Sequence, residues 1–173
     1  MLTEEATERV RGWFAGRLPG EWTSAAPEVT VDREEITVVL VVPDVDLPDG
    51  VSDAEAAETR AGRIRAFRED TRERRIAIAR EAEHRFERKV SWGVVLGDRR
   101  ELFTHIAVPV MTRLRQPQRQ VLDTLVDAGV ARSRADALAW CVRLVGQHAD
   151  SWLGELREAM SQVEEVRRKG PAA

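Results

Sequence analysis

The chain has 173 residues, of which 43% are hydrophobic and 33% are charged, and its formal net charge is −3 at pH 7. This length suits one moderate domain or two small ones, and the composition allows a buried core under a well-solvated surface. No apolar run approaches membrane-spanning length, and the acidic N-terminus MLTEEATERV lacks the apolar region of a signal peptide. The single cysteine, Cys141, excludes an intramolecular disulfide and fits a reducing compartment. We therefore expect a cytoplasmic protein with no membrane partner.

The choice of basic residues bears on the source of the chain. Lys89 and Lys169 are the only lysines, and asparagine and tyrosine are absent. Lysine, asparagine and tyrosine have A/T-rich codons, whereas arginine and alanine can use G/C-rich ones. The composition therefore predicts a bacterium with a high G+C content. For the same reason, arginine enrichment alone gives little support for nucleic-acid binding.

The first predicted elements are a helix over residues 3–17 and two strands over residues 28–32 and 35–42. The first strand alternates between apolar and polar residues, whereas the second is apolar on both faces, as a central strand is. A turn-rich loop follows over residues 43–50.

A long helix is predicted next. Ser52 and Glu55 form a capping-box pattern at its start, and we expect it to run to about Arg88. Its predicted buried stripe consists of Ile64, Phe67, Ile78, Ala82 and Phe86.

The same helix is rich in arginine, and two interpretations are open. The arginines can form a solvated face with helical pairs such as Glu69–Arg72 and Glu81–Arg85. They can also form an electrostatic track for phosphate groups. We favour the solvated face, because acidic residues are interleaved with the basic ones throughout.

Gly97 and Asp98 lie between two strand-like segments and predict a β-hairpin. Residues 1–108 thus read as helix, two strands, long helix and two strands. This order is typical of an α+β domain with helices on one face of an antiparallel sheet. Residues 109–169 form a second, mainly helical part that we expect to pack closely on the first.

The second part begins with a short strand, in which Met111, Arg113 and Arg115 share one face because side chains alternate. A helix follows, and Gly129 provides a left-handed end for it. Ser133 and Asp136 then form a capping-box pattern that opens another helix. Its predicted core face consists of Ala137, Leu138, Cys141, Val142 and Val145. A last helix over about 150–168 has Trp152, Leu156, Met160 and Val163 at helical spacing.

This order resembles the ribbon-helix-helix family of dimeric DNA-binding regulators. The likeness covers residues 110–147 and is carried by the TRL strand and the segment LDTLVDAGVARSRADAL. It implies a homodimer whose paired strands form a ribbon in the major groove of double-stranded DNA. It also implies a phosphate at the N-terminus of the second helix, where free N–H groups favour an anion. The resemblance assigns base contacts to Met111, Arg113 and Arg115, and phosphate contacts to Arg132, Ser133 and Arg134.

Charge is unevenly distributed along the chain. Residues 99–147 carry eight basic and four acidic side chains, whereas residues 1–52 carry four basic and eleven acidic ones. Such asymmetry allows a basic face on an acidic protein. We expect the N-terminal part to hold a protein partner or a small-molecule effector and to stay away from DNA.

No residue pattern predicts a catalytic or metal site. His84, His105 and His148 have no second histidine or cysteine at metal-ligand spacing, and no glycine-rich phosphate loop or nucleophile elbow is present. We expect no cofactor and no enzymatic activity, although a site assembled from distant residues stays open.

Our leading hypothesis is a sequence-specific DNA-binding protein that acts as a dimeric transcriptional regulator. The alternative is a non-enzymatic interaction module, in which the C-terminal helices only dimerise and the acidic N-terminal region binds another protein. Steep salt dependence would favour DNA binding, because counterions are released from the phosphates.

Overall fold

The structure is a computed structural model and describes residues 4–48 and 50–169. The chain divides after Pro109 into two compact units, which we call the N-terminal and C-terminal units. The N-terminal unit contains α1 (Glu4–Arg17), a short 3-10 helix (Gly20–Trp22), β1 (Glu28–Val31), β2 (Glu35–Val41), α2 (Asp53–Asp70), α3 (Arg72–Phe86), β3 (Lys89–Leu96) and β4 (Arg99–Leu102). The C-terminal unit contains α4 (Gln116–Asp127), α5 (Arg134–His148) and α6 (Asp150–Lys169).

The sheet of the N-terminal unit has the order β1-β2-β3-β4. Its two outer pairs are antiparallel, and Gly97, with a φ of +60°, turns the predicted hairpin between β3 and β4. The central pair is parallel, with Val38 opposite Trp92. α2 and α3 form the crossover that a parallel pair requires. The α+β class is confirmed, whereas the prediction of a wholly antiparallel sheet is wrong for the central pair.

The predicted long helix is broken at Thr71. The Thr71 hydroxyl donates to the Phe67 carbonyl at 2.6 Å, and back-bonding of this kind bends helices. The side chain of Arg75 also donates to the Arg68 carbonyl at 2.7 Å. A guanidinium therefore forms a hydrogen bond to a backbone carbonyl at the break between the helices. Insertion of a side chain into the ladder is a recognised cause of kinks. The sequence predicted one helix where the structure has α2 and α3.

The two ion pairs predicted along this helix are also wrong. Arg72 contacts the adjacent Glu73 at 3.4 Å instead of Glu69. Glu81 accepts both arms of the fork of Arg17 on α1, with the closer nitrogen at 2.6 Å, instead of pairing with Arg85. Glu81 therefore ties α3 to α1.

The core of the N-terminal unit lies between the helices and one face of the sheet. Its strand residues alternate along β2 and β3, which places them on one face. The ring of Phe14 on α1 meets that of Trp92 edge-on, with 6.1 Å between centroids. Ile64 and Ile78 add the contributions of α2 and α3 to the same cluster. Burying each such side chain stabilises the fold by about 1.5–3 kcal/mol.

The C-terminal unit has a much smaller core. Leu122 on α4, Ala131 in the following turn and Ala137 on α5 are its buried residues. The strand predicted before α4 is absent, and residues 110–115 form neither helix nor strand in this single chain. A strand needs a neighbour for its backbone groups, and no described strand of this chain pairs with the segment.

Among residues 4–48 and 50–169, no helix is long and apolar enough to cross a membrane.

Candidate nucleic-acid interface

The α4–α5 hairpin is fixed by the way α4 ends. Gly129 has a φ of +73°, and its N–H donates to the Val126 carbonyl at 3.0 Å. The Val130 N–H donates to the Leu125 carbonyl at 2.9 Å. These two bonds form a Schellman motif, in which glycine adopts the left-handed conformation without a steric penalty. The predicted role of Gly129 as the helix end is confirmed.

The predicted capping box at the start of α5 consists of two hydrogen bonds, and the structure contains one of them. The Ser133 hydroxyl accepts from the Asp136 N–H at 3.2 Å. The Asp136 carboxylate accepts from the Arg132 N–H at 3.1 Å, one residue earlier than the reciprocal bond of a capping box. This backbone bond is the main reason that the pKa of Asp136 lies below its ordinary value. A carboxylate of this chain therefore already lies at the helix end assigned to phosphate.

The two arginines assigned to phosphate are engaged within the chain. The fork of Arg134 donates to both oxygens of Asp123 at 2.6 and 2.8 Å, which lowers the pKa of Asp123. Arg132 lies 3.4 Å from Asp136. Both pairs are largely exposed, and exposed pairs contribute only about 0–1 kcal/mol. A phosphate would have to displace these carboxylates, which would cost only the small free energy of the exposed pairs.

The side chains assigned to base contacts are exposed. Met111 is 96% exposed and its neighbour Val110 is 84% exposed. Arg113 and Arg115 are exposed and make no ion pair with any residue that the structure describes. These two arginines therefore have guanidinium groups available to a partner.

Leu114 attaches this exposed segment to the hairpin. Its side chain is partly buried against the core around Leu122. Its carbonyl accepts from the Arg119 side chain of α4 at 2.7 Å. Sequence reasoning did not identify Arg119, although its place one turn inside a proline-led helix puts it near the preceding segment. Leu114, which lies between Arg113 and Arg115, is thus fixed relative to α4.

The C-terminal unit leaves much apolar surface exposed. Val142 and Val145, predicted to lie in the core, are 65% and 53% exposed in this chain. The exposed large hydrophobic residues of α6 are Trp152, Leu156, Met160, Val163 and Val166. The helical spacing of the first four predicted an apolar face, and no residue that the structure describes covers it. Apolar surface of this extent marks interaction sites.

No group of acidic, histidine or cysteine side chains that could hold a metal ion occurs among the described residues.

Two family models cover most of the chain. Residues 8–102 match the N-terminal domain of the Rv1265-like protein family, and residues 115–167 match the Mb1296 C-terminal domain. Their division agrees with the two units of the structure. The family descriptions state no activity. No solved structure was found to match the chain.

Relatives at high identity come from mycobacteria. The chain is 60% identical over 159 residues to the uncharacterized proteins Mb1296 of Mycobacterium bovis and Rv1265 and MT1303 of Mycobacterium tuberculosis. The match covers 92% of this chain and 69% of each relative. These relatives agree with the bacterial source predicted from composition. By both comparisons, the chain belongs to the Rv1265 family.

Proposed function

We propose that the C-terminal unit is a ribbon-helix-helix-like DNA-binding module and that the chain is a dimeric, sequence-specific transcriptional regulator rather than an enzyme. The observation that carries this proposal is a capped helical hairpin preceded by an exposed segment, in which Arg113 and Arg115 form no ion pair with any described residue. A two-stranded β-ribbon that contacts DNA bases needs unpaired backbone groups and cationic side chains, and this segment has both. The second strand of the ribbon would come from a second copy of the chain.

The proposed readout follows from pairing two copies of the segment before α4. In an antiparallel ribbon, Met111, Arg113 and Arg115 would share one face and enter the major groove. The arginine fork can donate two hydrogen bonds to a guanine edge, which distinguishes that base from the others. Attachment through Leu114 would hold the ribbon at a fixed place on each hairpin.

The proposed phosphate contact lies at the start of α5. Free N–H groups and the positive end of the helix dipole favour an anion there. Arg132 and Arg134 would turn from their carboxylates toward a phosphate, exchanging one weak exposed pair for another. The exchange costs little, and the release of counterions from DNA favours it.

The occupant proposed for the exposed apolar face is a second copy of the chain. On α6, Trp152, Leu156, Ala159, Val163 and Val166 follow one another at alternating steps of three and four residues. This spacing is typical of the seam between two packed helices. All five are exposed, so a partner helix could bury them.

The same surface supports a second candidate function. If the C-terminal helices only dimerise, their apolar faces would be buried and Arg132 and Arg134 would remain in their present pairs. The acidic N-terminal unit would then bind another protein. The observation in favour of this alternative is that both arginines proposed to contact phosphate are paired with carboxylates of the same chain.

The experiment that tests the proposal is selection of fragmented genomic DNA from the protein's own source by the purified full chain. The test variant is Arg113→Ala/Arg115→Ala. A matched control is Arg63→Ala/Arg65→Ala, which removes two exposed arginines of α2. We expect the wild type and the control to enrich defined DNA fragments, and the test variant to lose this enrichment. Equal loss in both variants, or no enrichment at low salt, would contradict it.

The assignment of base contacts to Arg113 and of phosphate contacts to Arg134 is tested with two single variants on a selected DNA fragment. Arg113→Ala should cost about 1–3 kcal/mol in binding and relax base preference. Arg134→Ala should weaken binding to all sequences to a similar degree, because a phosphate contact carries no sequence information. Identical effects of the two substitutions on base preference would overturn the assignment.

A further inference from the structure

A cavity of about 300 Å³ lies in the N-terminal unit beside the break between α2 and α3. Four charged residues around the break line it, together with two aromatic rings: Arg68, Glu69, Arg72, Arg75, Trp92 and Phe103. The cavity therefore combines a strongly cationic wall with an apolar one.

Arg75 is the central residue of this wall. It is only 7% exposed, yet it makes no ion pair with any described carboxylate. Its Nε donates to the Thr71 hydroxyl at 2.9 Å and its Nη2 donates to the Arg68 carbonyl at 2.7 Å. These bonds fix the direction of the guanidinium. Its Nη1 has no hydrogen bond to a described residue and is available to a ligand in the cavity.

The side chains near Arg75 include two further arginines, Arg68 and Arg72, which add positive charge to the cavity wall. The guanidinium carbons of Arg68 and Arg75 lie 5.5 and 4.9 Å from the centre of the same ring, that of Phe103. Burial, followed by the charges of Arg68 and Arg72, lowers the pKa of Arg75 to about 10, so it remains a cation at neutral pH. Buried charges are normally paired, and no described carboxylate, including that of Glu69 in the lining, forms an ion pair with Arg75.

The carboxylates nearby do not neutralise the cluster. Glu73 contacts Arg72 at 3.4 Å, but both side chains are highly exposed, so their attraction is weak. Glu69 lines the cavity and makes no ion pair with any of the three arginines. An anion from outside the chain would supply the missing negative charge.

We propose that this cavity is a binding site for the phosphate group of a small molecule, held by Arg75 and flanked by Arg68 and Arg72. A phosphate carries more negative charge than a carboxylate and has enough acceptor oxygens for several guanidinium groups. Phe103, which is only partly buried, offers an apolar surface to the organic part of a phosphate ester. Binding at this site does not depend on DNA binding, whereas a role for the ligand as an effector rests on the proposed function.

The test is isothermal titration calorimetry of the full chain, without DNA, with three probes. Phenyl phosphate and inorganic phosphate present the proposed group with and without an apolar part, and benzoate presents a carboxylate with a ring. We expect phenyl phosphate to bind more tightly than benzoate. Tighter binding of phenyl phosphate than of inorganic phosphate assigns a phosphate ester as ligand, and equal binding assigns the phosphate group alone. Absence of binding by both phosphates, or benzoate binding as tightly as phenyl phosphate, would overturn the proposal.

Variants distinguish a built site from general charge attraction. Arg68→Gln/Arg72→Gln alters two exposed side chains and should reduce phenyl phosphate affinity by at least about tenfold, since charge-assisted hydrogen bonds are lost. Arg63→Gln/Arg65→Gln removes the same charge from α2 outside the cavity and should leave affinity within about twofold. An equal loss in both variants would contradict the proposed site. Arg75→Lys, which keeps the charge but loses the fork, should also weaken binding, and circular dichroism checks its fold.

Discussion

The two units of this chain differ in how completely each one buries its apolar residues. In the N-terminal unit, helices cover the apolar face of the sheet, and residues such as Phe14 and Leu40 are fully buried. In the C-terminal unit, the buried core consists of one leucine and two alanines, while Val145 and Val163 remain more than half exposed. The first unit thus buries its apolar residues within a single chain, whereas the second leaves apolar surface that no described residue covers, and exposed apolar surface of this extent is typical of interaction sites.

The largest expected effect is the loss of a core ring from the complete unit. Phe14→Ala should lower the free energy of unfolding by about 3–5 kcal/mol, because it removes a fully buried ring and leaves a cavity beside Trp92. Urea unfolding followed by circular dichroism measures the loss. Trp152→Ala, on the exposed face of α6, should leave the hydrogen-exchange protection of β2 and β3 unchanged. A loss below about 1 kcal/mol for Phe14→Ala would contradict a self-sufficient N-terminal core.

The next effect concerns the exposed face of the C-terminal unit. Leu156→Glu would place a charge in the proposed seam and should weaken self-association on the order of 100-fold, as expected for losing a buried leucine. Sedimentation velocity over a concentration series measures it. Ser161→Glu, on the opposite side of α6 by helical spacing, is the matched control. A wild-type chain that stays monomeric at all concentrations would show that a second copy does not cover this face.

A smaller effect isolates the turn of the hairpin. Gly129→Ala should destabilise the C-terminal unit by about 1–2 kcal/mol, because the left-handed conformation is unfavourable for a residue with a Cβ. No atom lies within 4 Å of the added Cβ, so the cost is backbone strain alone. Gly154→Ala inside α6 also meets no atom within 4 Å and should stabilise the unit by about 0.5–1 kcal/mol. Thermal unfolding would give opposite shifts for the two variants, and shifts of the same sign would contradict the role of Gly129.

The smallest effect is a dependence of stability on pH. The hydrogen bonds from Arg134 hold the pKa of Asp123 below its ordinary value. A depressed folded-state pKa stabilises the fold above the unfolded pKa, near 4, and this contribution is lost as the pH falls through the folded pKa. Asp123→Asn should therefore flatten the decline in stability below about pH 4. Urea midpoints across this range measure the slope. Asp127→Asn, which removes an exposed carboxylate of the same helix that forms no ion pair with a described residue, is the matched control.

Features that depend on a few neighbouring residues could be predicted from the sequence. Gly129 and Ser133 each act within one helical turn, so the hairpin was identified correctly. The β3–β4 turn at Gly97 was also recognised for this reason. The same local reasoning placed Ile64 and Ile78 in the core.

Features that depend on residues far away in the sequence could not be predicted. The parallel pairing of β2 with β3 is set by the crossover, and an apolar strand pattern does not show the direction of its neighbour. Arg75 was included in a solvated face, because periodicity does not reveal that Thr71 and Phe103 meet it at a helix break. Val142 was assigned to the core, because helical spacing identifies an apolar face without showing what covers it.

The most direct test of DNA binding by the C-terminal unit is the affinity of the full chain for a selected DNA fragment over a salt series. The proposed ribbon and phosphate contacts predict a steep linear fall of log affinity with log salt concentration, and a shallower slope for Arg113→Ala/Arg115→Ala. Binding that is absent at low salt, or that does not respond to salt, would contradict a DNA-binding role and leave the helical hairpin as an interface between proteins.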